Sequence, residues 1–210
     1  MKDEPVTDNG AAEGGPVFDD LDAANREIAR LAQLAIRDPL TGLFNRRLME
    51  EELARQIDRA AREGRPLSVA VLDLDDFRSY NQTHGHRAGD QALRQTATLV
   101  QGFRLGTDIA CRYGGDEFVL MMPGATATDA VARLEPLRAA IAAMPIHHEG
   151  RLLDPVTISI GIADFPVHAA TAAALFDAAD AAVYRAKRNG HDRVESAGGM
   201  ATPADSPNDT

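Results

Sequence analysis

The sequence predicts an α/β or α+β domain in which helices flank a mixed β-sheet. Three observations carry this. Helical periods alternate with short apolar runs between residues 45 and 190. The run over 67–74 is apolar on both faces, as in a strand covered by helices. One hairpin, near residue 114, breaks the alternation and makes the strand order mixed.

Size and charge set the frame. The chain has 210 residues, 44% hydrophobic, which suits one domain with tails. There is no Trp and aromatic content is 5%, so aliphatic side chains build the core. The net charge of -10 belongs to the ends. Residues 1–22 hold seven acids and one base, and residues 195–210 hold three acids and no base. The 22 acids and 21 bases between them nearly cancel. Residues 1–19 and 196–210 lack periodicity and are expected to be disordered tails. Acidic tails argue against nucleic acid or an anionic membrane as partner. No apolar leader and no membrane-length stretch is present, and the lone Cys111 cannot form an internal disulfide. A reducing cytoplasm is the expected location.

The elements follow in order. Over 20–37, Leu21, Ala24, Ile28, Leu31 and Ala35 recur at spacings of three and four. That pattern fits a coiled-coil stalk, and equally an amphipathic helix folded back on its own domain. Asp38 to Phe44 is a break rich in turn residues, after which Asn45 can cap a helix over 46–63 that stops at Gly64. The strand over 67–74 ends in Asp73-Leu74, with Asp75 and Asp76 as candidate N-caps of the next turn and short helix. A helix over 88–101 follows, and Asp90 can cap it near Gln91. The hairpin pairs 108–113 with 116–122 through Gly114-Gly115, a two-residue loop whose primed turn needs positive φ. Thr126 and Asp129 form a capping box for a helix to about 142, which Pro136 should kink or split. Residues 157–162 alternate as a strand, a last helix spans 171–189, and 192–195 can add an edge strand.

Carboxylates mark the candidate site. Asp116 and Glu117 stand just past the Gly-Gly loop, on opposite faces of the returning strand. Such a pair can be a solvated acidic tip, or it can hold a hard divalent cation with oxygen ligands. Asp73, at the end of an apolar strand, needs a partner, and a cation shared with Asp116 would supply one. Of 22 basic residues only Lys2 and Lys187 are lysines, which hints at a task for a compact ammonium at Lys187. A surface cation in the last turn of a helix is the plainer reading.

Six spaced motifs extend this pattern. They are Asp38-Pro39-Leu40-Thr41-Gly42-Leu43-Phe44-Asn45-Arg46-Arg47, Leu72 to Arg78, Asn81 with Gly85-His86 and Gly89-Asp90, Arg112 to Phe118, Thr157 to Gly161, and Ala179 to Lys187. Together, over 38–195, they resemble a GGDEF domain, the catalytic module of diguanylate cyclases. The resemblance implies a ferredoxin-like core similar to the palm of nucleotidyl cyclases and polymerases. It implies condensation of two GTP into cyclic di-GMP with release of two pyrophosphates, in a homodimer whose active sites meet face to face. Mg²⁺ or Mn²⁺, two per site, would be held by Asp73, the Leu74 carbonyl and Asp116. Glu117 would be a second-metal ligand or a general base. Gly114 and Gly115 would let substrate approach the backbone.

For the substrate, the resemblance assigns guanine to Asn81 and Asp90. It assigns the terminal phosphates to the Asp76 and Phe77 N–H groups, Arg78 and Lys187. It also shows departures. His191 stands where the family has a phosphate-contacting Arg, so weaker GTP binding is expected. Leu105 replaces the Arg of the family's R-x-x-D product-inhibition site, with Arg104 one place early and Asp108 kept, so weak or absent feedback is expected. Gln82 replaces a frequent Asp with no expected consequence. No sensor fits in the 19 residues before the stalk, so regulation is expected from a sensor or partner protein, from concentration, or from a region absent from this chain. A non-catalytic GGDEF module that binds GTP or cyclic di-GMP and acts through a partner is the alternative.

Overall fold

The computed structural model describes residues 35–198 and positions 23, 26 and 27. Residues 1–35 form one unit and residues from Ile36 onward another. The expected N-terminal tail, most of the helix over 20–37, and residues 199–210 lie outside the described positions.

The second unit is a six-stranded sheet in the order β1-β3-β4-β2-β7-β8. The strands are β1 (Phe44–Asn45), β2 (Leu67–Leu74), β3 (Ile109–Arg112), β4 (Glu117–Pro123), β7 (Ile158–Phe165) and β8 (Val194–Ser196). The central strand β2 runs antiparallel to β4 and β7, while the edge pairs β1/β3 and β7/β8 are parallel. The helices are α1 (Arg46–Glu63), α2 (Phe77–His84), α3 (His86–Gly102), α4 (Ala127–Ala142) and α5 (Ala172–Arg188). A small hairpin, β5 (His147–His148) with β6 (Arg151–Leu152), stands apart from the sheet.

The two-sided apolar pattern of β2 explains the layering. Ala70, Leu72 and Leu74 join Phe118, Leu120 and Ile160 in one core with Leu93, Ala97, Leu134 and Leu137 from α3 and α4. Val69 and Val71 point the other way, joining Val119 and Met121 under Met49, Leu53, Leu175 and Ala179 from α1 and α5. Alternate residues of one strand thus feed two cores. Asp73 shares the parity of Val69 and Val71 and so faces the α5 side. Gly161 of β7 lies beneath α5, where an added Cβ would sit 2.9 Å from the Ala182 backbone carbon and closer still to Ala179 O and Val183 N.

Several expectations hold. Asn45 Oδ1 accepts from Leu48 N–H at 3.1 Å, and Gly64 ends α1 with φ 62°. Thr126 and Asp129 form the capping box. Others are corrected. Neither Asp75 nor Asp76 caps α2: Asp76 is left-handed with φ 49° and makes no side-chain cap bond, and the Asp75 carboxylate is occupied elsewhere. Asp90 caps nothing, because α3 begins at His86 and Asp90 lies within it. Helix α4 is not split at Pro136. Buried Leu134 and Leu137 anchor it on either side, and Pro136 lies on the exposed face, where water can satisfy the freed carbonyl. Strand β7 runs three residues past Ile162, and β8 passes the expected boundary at 195, with Ala197 N–H donating to Ile162 O. Strand β1 and the β5/β6 hairpin were not anticipated, since two-residue strands carry no period.

Candidate active site

The hairpin differs most from expectation. Gly114 and Gly115 have no positive φ, so no primed two-residue turn forms. The loop instead closes from Tyr113, whose N–H donates to Glu117 O at 2.9 Å. Arg112 holds it from within. Its Nε donates to Gly114 O at 3.1 Å and its Nη2 to Gly115 O at 2.7 Å, while Nη1 reaches the Asp38 carboxylate at 3.1 and 3.2 Å. Asp38 is fixed in turn by Thr41 N–H at 2.8 Å and Thr41 Oγ1 at 2.6 Å. Burial alone would raise the Asp38 pKa, but the Thr41 and Arg112 hydrogen bonds outweigh it and hold the carboxyl below its ordinary value. A charge clamp therefore replaces the turn chemistry. At Gly114 an added Cβ would displace the Glu117 carboxylate, since it would meet Glu117 Oε2.

Register then assembles the acids. Asp73 pairs with Glu117 across β2 and β4, and Leu74 N–H donates to Asp116 O at 3.2 Å. Like charges placed opposite each other repel. Burial raises the Asp73 pKa and neighbouring Asp116 and Asp75 raise it further, against the pull of Lys187. Burial also raises the Glu117 pKa, helped by Asp73, Asp116 and Asp180. Lys187 Nζ from α5 lies 2.7 Å from Asp73 Oδ1 and supplies the positive charge this cluster needs.

An open cavity of about 550 Å³ adjoins the cluster. Phe77, Arg78 and Asn81 of α2 form one wall and Gly89 and Asp90 of α3 another, with Arg112, Gly115 and Asp116 closing the hairpin side. An added Cβ at Gly89 would strike Asn81 Oδ1 and lie 3.1 Å from Phe77 Cζ, so this glycine lets α2 and α3 meet with Asn81 between them. No Cβ contact within 4 Å is found at Gly115, which leaves its cavity side open.

Six of the expected site residues thus share one cavity: Phe77, Arg78, Asn81, Asp90, Gly115 and Asp116. Asp73, Leu74, Glu117 and Lys187 form the adjoining cluster. Asp76, Gly114 and His191 lie outside the cavity lining, and His191 is left-handed with φ 59°. Residue reading missed Gly89, Gln82, His86 and Leu93 as lining groups, and Arg112 as the hairpin's clamp. The available signal was the helical spacing of His86, Gly89 and Leu93 on α3, which puts them on the face that carries the Gly89-Asp90 motif.

The donor set suits a hard divalent cation: carboxylates raised by burial and mutual repulsion, beside a backbone carbonyl. Among the described residues no three His, Cys, Asp or Glu side chains form a ready cage, so a cation would draw on the Leu74 carbonyl. The product-inhibition position is occupied differently. Asp108 is 5% exposed, accepts from Leu105 N–H at 2.8 Å and is ion-paired with Arg133, while Leu105 is 60% exposed. No described helix is long and apolar enough to cross a membrane.

Comparison with known proteins agrees with this architecture. A family model described as diguanylate cyclase, GGDEF domain, matches residues 35–193. Diguanylate cyclase DgcP of Pseudomonas aeruginosa is 42% identical over 178 residues, 85% of this chain and 26% of its own length. Response regulator PleD of Caulobacter vibrioides is 40% identical over 164 residues, 77% of this chain and 36% of its own. The chain thus spans about a quarter to a third of these curated relatives. The coiled coil and GGDEF domain of DgcB from Caulobacter crescentus, solved with c-di-GMP, superposes with a TM-score of 0.81 at 29% identity, covering 86% of this chain and 95% of that one. SiaD of Pseudomonas aeruginosa, solved with its activator SiaC, gives a TM-score of 0.75 at 34% identity, covering 86% and 69%. With its hairpin, acid cluster and cavity on one central sheet, the chain belongs to the GGDEF-domain family of diguanylate cyclases.

Proposed function

We propose that the chain condenses two GTP into cyclic di-GMP, with a divalent metal, as a homodimer. The observation that carries this is the single cavity joining Asn81 and Asp90 to Gly115 and Asp116, beside Asp73. Asp90 can accept from N1–H and N2–H of guanine, a pair of donors adenine lacks. Asn81 stands beside it, seated against Gly89. The N–H groups of Asp76 and Phe77 open α2 toward the terminal phosphates, with Arg78 adding charge. Lys187 can turn from Asp73 toward phosphate once Asp73 is otherwise neutralised.

Asp73, the Leu74 carbonyl and Asp116 would hold Mg²⁺ or Mn²⁺, with Glu117 as a further ligand or as the base. When bound, the ion or ion pair neutralises phosphate oxygens and acidifies the 3′-hydroxyl. In each of two equivalent steps, a 3′-oxygen bonds to the α-phosphorus of the other GTP. The bridging α–β bond breaks, pyrophosphate leaves and the hydroxyl proton passes to a base. One cavity per chain holds one GTP, so a two-fold pair of chains brings both reacting ends together. The coiled coil of DgcB and the SiaD–SiaC complex support a stalk-linked dimer and a partner protein that regulates it.

Incubating the protein with GTP and Mg²⁺, with chromatography of the products, tests this reading. Cyclic di-GMP rising faster than linearly with protein concentration supports the dimer. Bound but unconverted GTP at every concentration supports the non-catalytic module instead.

A further inference from the structure

Asp75 sits one residue past the acid strand, yet its carboxylate takes no part in the acid cluster's pairing. It is 7% exposed and accepts three hydrogen bonds. They come from Thr157 Oγ1 at 2.7 Å, Ser159 Oγ at 2.6 Å and the Asp192 N–H at 3.0 Å. Its own N–H donates to Thr157 O at 2.9 Å. All three donors are uncharged. Burying a carboxylate among neutral donors is a costly way to fill space, so the arrangement calls for a reason other than packing.

The three bonds join distant parts of the chain. Thr157 and Ser159 flank the start of β7, and Asp192 belongs to the loop after α5. That loop contains two left-handed residues, His191 with φ 59° and Asp192 with φ 44°, which non-glycine residues adopt only when held. Arg138 of α4 holds it from the other side, its Nη1 lying 2.7 Å from Asp192 Oδ1. Lys187 lies five residues before Asp192, on the last turn of α5, and Asp76 and Phe77 follow Asp75 directly.

We propose that Asp75 is a positioning residue for the triphosphate. It fixes the gap between the first amides of α2 and the C-terminal end of α5, with Lys187 on the last turn of that helix and His191 in the loop after it. This rests on reading those two ends as the phosphate subsite. The guanine end, at Asn81 one turn further along α2 and Asp90 on α3, shares no hydrogen bond with the Asp75 carboxylate.

Calorimetry with Mg²⁺ tests the proposal, using 3′-deoxy-GTP, which lacks the attacking hydroxyl, and GMP as competitor. Asp75→Asn should weaken 3′-deoxy-GTP about tenfold, less than the roughly hundredfold that a 1 Å misplacement of reacting groups can cost in rate, and leave GMP within about twofold. Ser159→Ala, which removes one of three donors and keeps the carboxylate, should shift the same ratio in the same direction by less. Equal weakening of both ligands, tracking a fall in Tm, overturns the proposal and makes Asp75 purely structural. An unchanged ratio in Asp75→Asn and Ser159→Ala, with Lys187→Ala still selective against the triphosphate, overturns the proposal alone. An unchanged ratio in Lys187→Ala as well overturns the phosphate subsite itself. If Asp75→Asn does not fold, Ser159→Ala decides.

Discussion

Gly161→Ala tests how α5 brings Lys187 to the acid cluster. At Gly161 the backbone of α5 rests on β7, and a new Cβ would lie 2.9 Å from Ala182 C and nearer to Ala179 O and Val183 N. Ordinary contact begins near 3.4 Å, and all three obstacles are backbone, so no side chain can rotate away. The helix must retreat by roughly 1 Å along a face of Leu175, Ala179, Ala182, Val183 and Ala186 that is otherwise closed. Overpacking costs about 1–3 kcal/mol, and a backbone-on-backbone clash belongs at the upper end. In a domain of this size about 3 kcal/mol lowers Tm by roughly 6–12 °C. A thermal melt reads this directly. The same retreat should lengthen the Lys187–Asp73 approach and raise the KM for GTP. A Tm within about 2 °C of the parent would refute the reasoning, because it would mean that α5 and β7 separate at little cost.

Four further predictions follow the same geometry. Asp73→Asn relieves a carboxylate raised by burial and by its acidic neighbours. An acid raised in the folded state destabilises above its unfolded pKa, so the substitution should raise the Tm of metal-free protein by about 2–4 °C, the effect of about 1 kcal/mol, while abolishing product. A lowered Tm would show that the Lys187 pair dominates. Asp90→Asn should weaken GTP by about ten- to a hundredfold, as loss of a charge-assisted hydrogen bond worth roughly 1.5–3 kcal/mol does, with ATP competition unchanged. Equal loss for both nucleotides would contradict a base-reading role. Asp38 is held below its ordinary pKa, so it stabilises the fold above the unfolded value of about 3.9, and that contribution fades as pH falls through the folded value. Asp38→Asn should therefore lower Tm at pH 7 and flatten the acid limb of the Tm profile, and an unchanged limb would argue against the Arg112 clamp. Cyclic di-GMP titrated calorimetrically should show no micromolar site near Leu105, because Asp108 is committed to Arg133 and Leu105 N–H. Micromolar binding lost on Asp108→Asn would overturn that.

Much of the fold was legible because burial writes a period into sequence. The run from Leu67 to Leu74 alternates between two cores, and that double demand shows as a continuous apolar stretch. Caps at Asn45 and Thr126 were legible because backbone donors there need a side-chain oxygen three residues away. Residues whose partners are remote in sequence were not legible. Asp75 is bonded to a residue 117 positions away, so its local reading as an N-cap failed. The hairpin was misread for the same reason: Arg112 and Asp38, 74 residues apart, hold the loop open without the positive φ that Gly-Gly suggested. Pro136 shows the converse, a local rule overridden by packing on both sides. Asp90 lost its capping role once α3 began four residues earlier, at His86.

Product formation from GTP as a function of protein concentration tests the central claim most directly. Purified protein in GTP and Mg²⁺ should release cyclic di-GMP and pyrophosphate in a one-to-two ratio, with specific activity rising as the chain concentration rises through its dimerisation range. Asp73→Asn should give none under the same conditions. Cyclic di-GMP absent at all concentrations, with GTP bound in the cavity of Asn81 and Asp90, would contradict the account.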